Sequence, residues 1–356
     1  MKPGAPSACK TKMHTSKVGI TSKNQTSSIA RTKKPVQTKK SIIDDTTQAT
    51  YHVSNTNMEG KYMHYTGPIY RPPVEAMLGT KLLQVTVGCA HNKCTFCTMY
   101  QSVKFSCEPL DQIEEDVLEL RETYARIDRI FLINGDAFVL SARKLKAITD
   151  IIIKHIPEVK VITMYASIKN IKSKSDEDLA NIKKMRINDL WMGTETGNEQ
   201  AIRNINKGHT LEEAREQLLR LNKAGIRHDD GFMLGVAGAG KGLENASETA
   251  KLINETKPSI LWFGTLGVFP GSEMYMQMAR NEFTPATELE ILEEEIEVLR
   301  QIDLEGVPFY GIHPTNESSI SGVLPRDREK MIRILEDYIA NADEEYLNTA
   351  KERYTL

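Results

Sequence analysis

Three of the five cysteines in the 356-residue chain lie within nine residues, at Cys89, Cys94 and Cys97. Small secreted domains stapled by disulfides carry an even number of cysteines spread along the chain, so this crowding does not suggest a disulfide framework. Thiolates on a short loop are ligands for soft metal centres. The segment Cys-Ala-His-Asn-Lys-Cys-Thr-Phe-Cys therefore predicts metal or redox chemistry.

The number of available ligands separates the kinds of metal site. A structural zinc site has four protein ligands, commonly in two Cys-x2-Cys pairs. No second pair follows here: Cys107 lies ten residues beyond Cys97, Cys9 lies in the N-terminal tail, and His91 is only two residues from Cys89. Two hypotheses stay open at this point. One is an open catalytic centre, and the other is a non-enzymatic protein that binds or carries zinc or an iron–sulfur cluster.

Composition limits the class of protein. A hydrophobic content of 40% over this length can form one large α/β domain without disulfide or metal support. No run approaches the roughly 18 apolar residues of a membrane helix, and no apolar segment follows the basic N-terminus as a secretory signal requires. We therefore expect a soluble, cytoplasmic protein without a membrane partner.

Charge is distributed unevenly. Residues 1–43 carry ten Lys or Arg and no Asp or Glu, so the net charge of −2 leaves −12 for the remainder. Broad attraction of the main domain to nucleic acid is therefore not expected, although a local basic groove for a nucleic-acid substrate stays open.

Residues 1–57 are predicted to form a disordered basic tail, because they contain few large apolar residues to offset the entropy of ordering. Two other interpretations stay open. The tail could be an organelle transit peptide, although such peptides favour Arg and Arg31 is the only one here. Translation could instead begin at Met58 or Met63.

From about residue 58, short apolar runs alternate with amphipathic stretches, which is typical of βα units and a mainly parallel sheet. The predicted strands are 82–87, 130–134, 159–165, 189–193, 228–235 and 259–266, and the helices between them are 110–124, 141–155, 175–185, 212–224 and 243–255. We therefore predict an α/β fold with a partial (β/α)6 TIM-like barrel, in which ligands sit at the carboxyl ends of the strands. The three cysteines follow the first strand.

After the sixth strand the pattern is helical, with predicted helices at 273–280, 288–302 and 326–338 and a loop at 313–325. The Glu-rich side of the helix at 288–302 is interpreted as a solvent-exposed face. We accordingly divide the chain into the tail at 1–57, a core barrel at 58–285 and a C-terminal helical extension at 286–356.

Over about residues 65–325 the sequence resembles the radical S-adenosylmethionine (SAM) superfamily, and more closely its Elongator-3/MiaB/NifB type. The resemblance implies that Cys89, Cys94 and Cys97 hold a [4Fe-4S] cluster whose remaining iron binds SAM. One electron, from a donor such as a flavodoxin or ferredoxin, would then cleave SAM to methionine and a 5′-deoxyadenosyl radical that acts on an unidentified substrate. The common family spacing is Cys-x3-Cys-x-aromatic-Cys, so the first interval is one residue longer here.

The resemblance also implies contacts to SAM at the strand ends. The aromatic residue of the cysteine loop and two glycines of the fifth strand would lie beside the adenine, a turn after the second strand would lie beside the amino group, and an acidic residue after the fourth strand would contact the ribose. These residues are Phe96, Gly231 and Gly235, then Gly135 and Asp136, and finally Glu195.

Four further residues have competing interpretations. Arg203 could pair with the SAM carboxylate or could be a solvated surface residue. His313, Asn316 and Glu317 are candidate substrate contacts or ordinary polar loop residues. The segment 235–242 nearly matches a phosphate-binding P-loop, but a glycine replaces the Ser or Thr that holds magnesium. It is therefore interpreted as a glycine-rich loop.

Overall fold

The apolar runs of the sequence form a mostly parallel sheet whose strands are neighbours in chain order. The structure, a computed structural model, describes residues 64–353, all of which fall in the unit Ala49–Leu356. The sheet has the order β1-β4-β5-β6-β7-β8-β9-β10, and β1 and β10 form its two edges. Its strands are β1 Lys81–Gln84, β4 Arg129–Ile133, β5 Val161–Ala166, β6 Ile187–Glu195, β7 Arg227–Leu234, β8 Ile260–Thr265, β9 Val307–Gly311 and β10 Ile320–Leu324. A separate two-stranded ladder joins β2 Thr86–Val87 to β3 Ser106–Cys107.

Helices connect most of these strands. They are α1 Pro73–Met77, α2 Leu110–Thr123, α3 Ala142–His155, α4 Ile168–Lys172, α5 Asp176–Lys184, α6 Glu199–Asn204, α7 Leu211–Ala224, α8 Gly242–Thr256, α9 Glu273–Ala279, α10 Glu288–Gln301, α11 Arg328–Asn341 and α12 Glu344–Leu347. A 3-10 turn covers Ala137–Val139. Among the described residues, no helix has the length and apolar character that a membrane crossing requires.

The predicted α/β fold with a partial TIM-like barrel is confirmed. Each of the six predicted strands and each of the predicted helices has a counterpart in the structure. The parallel series is one strand longer than expected, because β9 pairs in parallel with β8. The loop expected at 313–325 contains β10, which runs antiparallel to β9. The C-terminal segment is therefore not only helical but also extends the sheet. The predicted tail at 1–57, with Cys9, Met58 and Met63, lies outside the described residues.

Alternate residues of the strands pack into two hydrophobic layers, one beneath the helices and one inside the barrel. The strands are therefore continuous apolar runs in the sequence. Along β4, Ile130 and Leu132 pack outward in a cluster with the helices α2, α3, α5 and α7. Phe131 and Ile133 point inward and pack with aromatic residues of the barrel interior. A second outer cluster joins α8, α10 and α11 to β7–β10.

A buried ion network lies at the amino ends of the barrel strands. Glu75 of α1 is fully buried and accepts hydrogen bonds from Arg129 Nε at 2.7 Å and from Trp191 Nε1 at 2.7 Å. Arg129 also donates to Asp189 at 2.7 Å. Because these groups satisfy one another inside the barrel, the network allows α1 to cover this end of it.

The Glu-rich side of α10 is not the solvent-exposed face that we expected. Glu288, Glu294 and Glu295 are all buried. Glu288 accepts a hydrogen bond from Arg353 at 2.7 Å, and Glu294 accepts one from the Asn245 amide at 2.6 Å. Helix α10 packs between α8, α11 and the sheet, so two of its sides are covered rather than one.

The network at Glu75 predicts an asymmetry between buried and exposed ion pairs. We expect Glu75→Gln to lower the free energy of unfolding by about 3 kcal/mol, because it leaves the buried Arg129 with Asp189 as its remaining carboxylate. Asp150→Asn is the control, since the Lys146–Asp150 pair is more than half exposed on both sides and should change stability by under about 0.5 kcal/mol. Urea unfolding of the two variants checks this. Equal losses would contradict it.

The carboxyls of α10 predict a pH dependence of stability. Burial raises the pKa of Glu294 and of Glu295 from 4.5 to about 8. The folded protein thus binds these protons more tightly than the unfolded chain, so the stabilisation is complete below pH 4.5 and is lost as the pH rises through about 8. We expect wild type to lose stability relative to Glu295→Gln by up to about 1.4 kcal/mol per pH unit between pH 5 and pH 8.

Glu293→Gln is the matched control for this titration, because Glu293 is the exposed neighbour of Glu294 on the same helix. Urea unfolding of wild type and both variants from pH 5 to pH 8 measures the difference. A constant gap between wild type and Glu295→Gln over this range would show that Glu295 stays ionised in the folded protein.

Candidate active site

A cavity of about 470 Å³ lies at the carboxyl ends of the barrel strands. This volume falls in the usual range of small-molecule sites. Its wall includes the loop after β2 and the ends of β4 to β8, and its lining continues into the residues that follow β9. The position agrees with the expectation that ligands of such a barrel bind at this end.

The thiols of Cys89, Cys94 and Cys97 all line this cavity and are half-buried. Burial raises the pKa of each thiol, to about 11 for Cys94. Cys107 is exposed in β3 and does not line the cavity. Within residues 64–353, no three side chains of His, Cys, Asp or Glu are grouped so that they could hold one metal ion.

The backbone of Thr95 holds the middle of the cysteine loop. Its N–H donates to the Ile205 carbonyl at 3.0 Å, and its carbonyl accepts from the Met274 N–H at 2.8 Å. The loop is therefore fixed from one side by the end of α6 and from the other by the start of α9. Both helices thereby help to set where the thiols lie.

The longer interval between the first two cysteines is accommodated by a clasp, which we define as the contacts of His91, Asn92 and Asn206. His91 Nε2 donates to the Asn206 carbonyl at 2.7 Å, and the Asn206 amide donates back to the Lys93 carbonyl at 3.0 Å. Asn92 has a φ of 42° and donates to the Tyr100 carbonyl at 2.8 Å. Asparagine tolerates this left-handed conformation, so the extra residue forms a turn.

Lys207 and Glu195 form a buried ion pair beside the thiols. The Lys207 amine also lies 5.9 Å from the ring centre of Phe96. Burial acts to lower the pKa of Lys207, but Glu195 and the nearby thiols of Cys94 and Cys97 raise it above its usual value. The amine therefore stays protonated, and its charge acts to lower the pKa of the thiols.

The predicted turn after β4 places both of its residues on the cavity wall. A side chain on Gly135 would lie 2.5 Å from the Tyr100 ring, so a glycine is needed there. Asp136 is 4% exposed and accepts a hydrogen bond from the Asn170 amide. Burial raises the pKa of Asp136 to about 7, although the Lys174 charge opposes the rise.

The two glycines of β7 differ in position. Gly231 lines the cavity, and a side chain there would contact only the Met192 carbonyl at 3.5 Å. Gly235 does not line the cavity. It has a φ of 75°, and a side chain there would point toward Ile291 of α10. The turn conformation accounts for this glycine.

The segment 235–242 uses its backbone amides for carboxylates of α10. The Gly235 N–H donates to Glu294 at 2.9 Å, and the Gly240 N–H donates to Glu290 at 2.6 Å. A P-loop would direct these amides at phosphate oxygens. The contacts support the interpretation of this segment as a glycine-rich loop.

The remaining candidates separate into cavity and non-cavity residues. Arg203 is exposed and pairs with Glu199 at 2.9 Å. Asn316 accepts from the Thr265 N–H at 2.7 Å and braces the end of β8. Glu317 accepts from the Tyr338 hydroxyl at 3.1 Å. Only the fourth candidate, His313, lines the cavity.

His313 lies beside Thr315, with 2.7 Å between His313 Nδ1 and the hydroxyl. Burial lowers the pKa of His313 to about 4, so the ring is neutral at pH 7. Its ring is edge-on to Trp262 with centres 6.3 Å apart.

Apart from Phe96, sequence reasoning missed the aromatic residues of the cavity lining, which are Tyr70, Tyr100, Tyr165, Trp191, Phe232 and Trp262. In the sequence, the four aromatic residues that lie in strands cannot be distinguished from core residues, and Tyr70 and Tyr100 lie outside the strands. The sequence also does not show that Lys207 rather than Arg203 faces inward, because it does not show where helix α6 ends. The left-handed Asn206, with a φ of 52°, turns the chain after α6 so that Lys207 enters the cavity.

The family model of the Radical SAM superfamily matches residues 83–253, which include the cysteine loop and most of the cavity wall. The chain carries a radical SAM domain. This confirms the superfamily expected from the sequence. The search of curated proteins finds no match.

Three solved structures with a similar fold are distant in sequence from this chain. An archaeal Methanocaldococcus infernus Elp3 is 15% identical and covers 74% of this chain and 63% of its own, with a TM-score of 0.48. Coproporphyrinogen III oxidase from Escherichia coli, a radical SAM enzyme, is 16% identical and covers 62% and 52%, with a TM-score of 0.47. The radical SAM methyltransferase TsrM from Kitasatospora setae is 14% identical and covers 57% and 39%, with a TM-score of 0.47. The chain spans less than two thirds of the length of each.

The clasp predicts that the cysteine loop loses protection when His91 is replaced. We expect His91→Ala to speed hydrogen exchange of the backbone amides in residues 89–97 by about five-fold, because one hydrogen bond contributes about 1 kcal/mol to keeping the loop closed. Lys93→Ala is the control, since its side chain is exposed in the same loop. Mass spectrometry of exchanged peptides measures both. Equal protection in the two variants would mean that Thr95 alone holds the loop.

Proposed function

We propose that this protein is a radical SAM enzyme that reductively cleaves SAM at a [4Fe-4S] cluster held by Cys89, Cys94 and Cys97, and acts on a substrate not yet identified. One observation carries the proposal. The three thiols belong to a radical SAM domain and line a single cavity at the carboxyl ends of the barrel strands. The position at the mouth of a barrel is where enzymes of this architecture carry their chemistry.

The residues present fit both cofactors. Three thiolates can each bind one iron of a four-iron cluster, which leaves one iron without a protein ligand. Each thiolate then has its own iron, so the three need not converge on one ion. When bound, the cluster and SAM supply one-electron reduction and the 5′-deoxyadenosyl radical.

Charged groups of the chain are available for the ends of SAM. We assign the SAM carboxylate to Lys207 in place of Arg203, because Lys207 is a protonated amine inside the cavity and Arg203 is exposed outside it. Asp136, also on the cavity wall, is assigned to the SAM amino group. Glu195 shares its carboxylate with Lys207 and is assigned to the ribose.

Apolar surfaces of the chain are available for the adenine. We assign it to Phe96 and to Gly231, both of which line the cavity. Gly231 leaves space for a flat group, because only a carbonyl oxygen lies near the position that its side chain would take. Gly235 is left out of this assignment because it lies outside the cavity lining.

The chain also has to exclude water and receive an electron. The aromatic residues and the covered amino end of the barrel close the cavity on its deep side, which limits water around a reactive radical. The cysteine loop carries exposed residues such as Lys93, so a reduced flavodoxin or ferredoxin is the proposed donor at this face. A carrier that only binds zinc or a transferable cluster is the alternative that experiment has to exclude.

The proposal predicts that one cavity cysteine matters and that an exposed one does not. After anaerobic reconstitution with iron and sulfide, we expect about four irons per wild-type chain and release of 5′-deoxyadenosine from SAM on reduction. Cys94→Ala should lose the cluster and this release, because a thiolate ligand is missing. Cys107→Ala should retain both, since that thiol lies outside the cavity. A wild-type protein that holds zinc alone and never cleaves SAM would refute the proposal.

A further inference from the structure

The cavity has two chemically different sides. Its acidic residues and lysines are Asp136, Lys169, Glu195 and Lys207, all of which follow or end β4, β5 and β6 or lie just beyond α6. The described lining residues from β7, β8 and the segment after β9 include no acidic residue, lysine or arginine. The charged side is also the side that carries the cysteine loop.

The charged groups on the side of the cysteine loop are either paired within the protein or exposed to solvent. Lys207 pairs with Glu195, and Asp136 accepts from Asn170. Lys169 is exposed at the rim. An ion placed on the opposite side would therefore lose its hydration without gaining a partner of opposite charge, which is costly.

Aromatic rings form the deep end of the cavity, which we call the aromatic floor and define as Tyr70, Tyr165, Trp191 and Trp262. Tyr70 and Tyr165 are stacked, with ring centres 5.9 Å apart and planes at 12°. Trp191 uses its only donor on Glu75. Trp191 is 3% exposed and therefore offers the cavity part of an apolar ring and no free hydrogen-bond donor.

On β6 the aromatic floor lies below the residue assigned to the ribose of SAM, whereas on β8 the floor residue Trp262 pairs in register with Gly231, which is assigned to the adenine. Trp191 stands four residues before Glu195 on β6, which corresponds to about 13 Å along the strand. The network of Glu75 and Arg129 covers the barrel beneath it. A group that reaches the floor therefore enters from the open end and stops there.

Among the described lining residues of the uncharged side, His313 is the one with an ionisable side chain. It is neutral at pH 7 and lies beside the Thr315 hydroxyl, so together they present polar but uncharged atoms.

We propose that the aromatic floor binds an uncharged planar ring of the substrate, which is thus a small molecule with a neutral aromatic or heteroaromatic group. That this ring belongs to a substrate depends on the proposed function, whereas the binding of a ring depends only on the residues of the aromatic floor. The ring stacks against Trp262 and the tyrosines, since aromatic faces gain from offset stacking beyond simple burial. A carboxylate, phosphate or ammonium at the same depth is rejected because the nearest charges, Glu75 and Arg129, are already paired with each other.

The only two tryptophans of the chain, Trp191 and Trp262, both lie in this floor. Intrinsic tryptophan fluorescence of the full-length protein therefore reports on this place. We propose titration with four probes of nearly equal size: benzamide, benzoate, benzamidinium and cyclohexanecarboxamide. Benzamide is neutral and planar, the next two add a negative or positive charge, and the last removes planarity.

We expect benzamide to bind at least ten-fold more tightly than each of the other three, and to bind equally well when SAM is present at saturation. Comparable binding of either ion would overturn the requirement for a neutral group. Comparable binding of cyclohexanecarboxamide would overturn the requirement for a planar one. Displacement of benzamide by SAM would show that the ring site is the adenine site and would also overturn the proposal.

Trp262→Leu tests the floor directly, because it keeps an apolar side chain and removes the aromatic face. It should weaken benzamide at least ten-fold without changing the affinity for SAM. Tyr275→Leu is the matched control, since Tyr275 is an exposed aromatic residue of α9 outside the cavity lining. If Trp262→Leu does not fold, Tyr70→Leu replaces it with the same expected loss. Unchanged benzamide binding in a folded floor variant contradicts the proposal.

The two proposals can fail separately. Iron content and release of 5′-deoxyadenosine are measured on the same preparations, and the titration is run with and without the cluster. Ring binding with the stated preference in a protein that never cleaves SAM would refute the proposed function and leave the ring site. SAM cleavage in a protein that shows no preference among the four probes would do the reverse.

Discussion

The buried ion pair of Lys207 and Glu195 is the interaction on which the arrangement of the cavity depends. An ammonium group can be buried only with a partner, and Glu195 provides it from the end of β6. Both partners need unusual backbone: Glu195 has a φ of 67° and the residue before Lys207 has a φ of 52°. The pair thus connects β6 to the segment after α6 and places a fixed positive charge beside three thiols, where it offsets part of the effect of their burial.

The sequence predicted the parallel strands, the position of the cysteines after the first strand, and the superfamily. These predictions were possible because periodicity and ligand spacing are local signals. It missed β9 and β10, since Val-Pro-Phe-Tyr-Gly and Ile-Ser-Gly-Val-Leu are short and contain residues that weaken a strand. The burial of Glu294 and Glu295 was missed for another reason. Their partners, such as the Gly235 amide 59 residues away, are set by tertiary contacts that no local pattern encodes.

Within the candidate site the same distinction applies. Gly135 and Asp136 could be placed from their position after a strand, whereas the sequence named Arg203 as a candidate and did not identify Lys207. They are four residues apart, and a continuing helix would put them on one face. Helix α6 instead ends at Asn204, which leaves Arg203 with Glu199 on the surface and turns Lys207 inward. A single break in the helix therefore decides which cation meets the cavity.

The cysteine loop is held by the turn at this same break in the helix. Asn206 belongs to the turn that carries Lys207 inward, and it also exchanges hydrogen bonds with His91 and Lys93 across the gap to the loop. The His91 ring contacts the Asn206 carbonyl, and the interval after Cys89 turns at the left-handed Asn92. The extra residue thus ties the first cysteine to the turn that positions the buried ammonium. The clasp and the ion pair therefore share one turn of the backbone, at Asn206 and Lys207, and both hold groups beside the thiols.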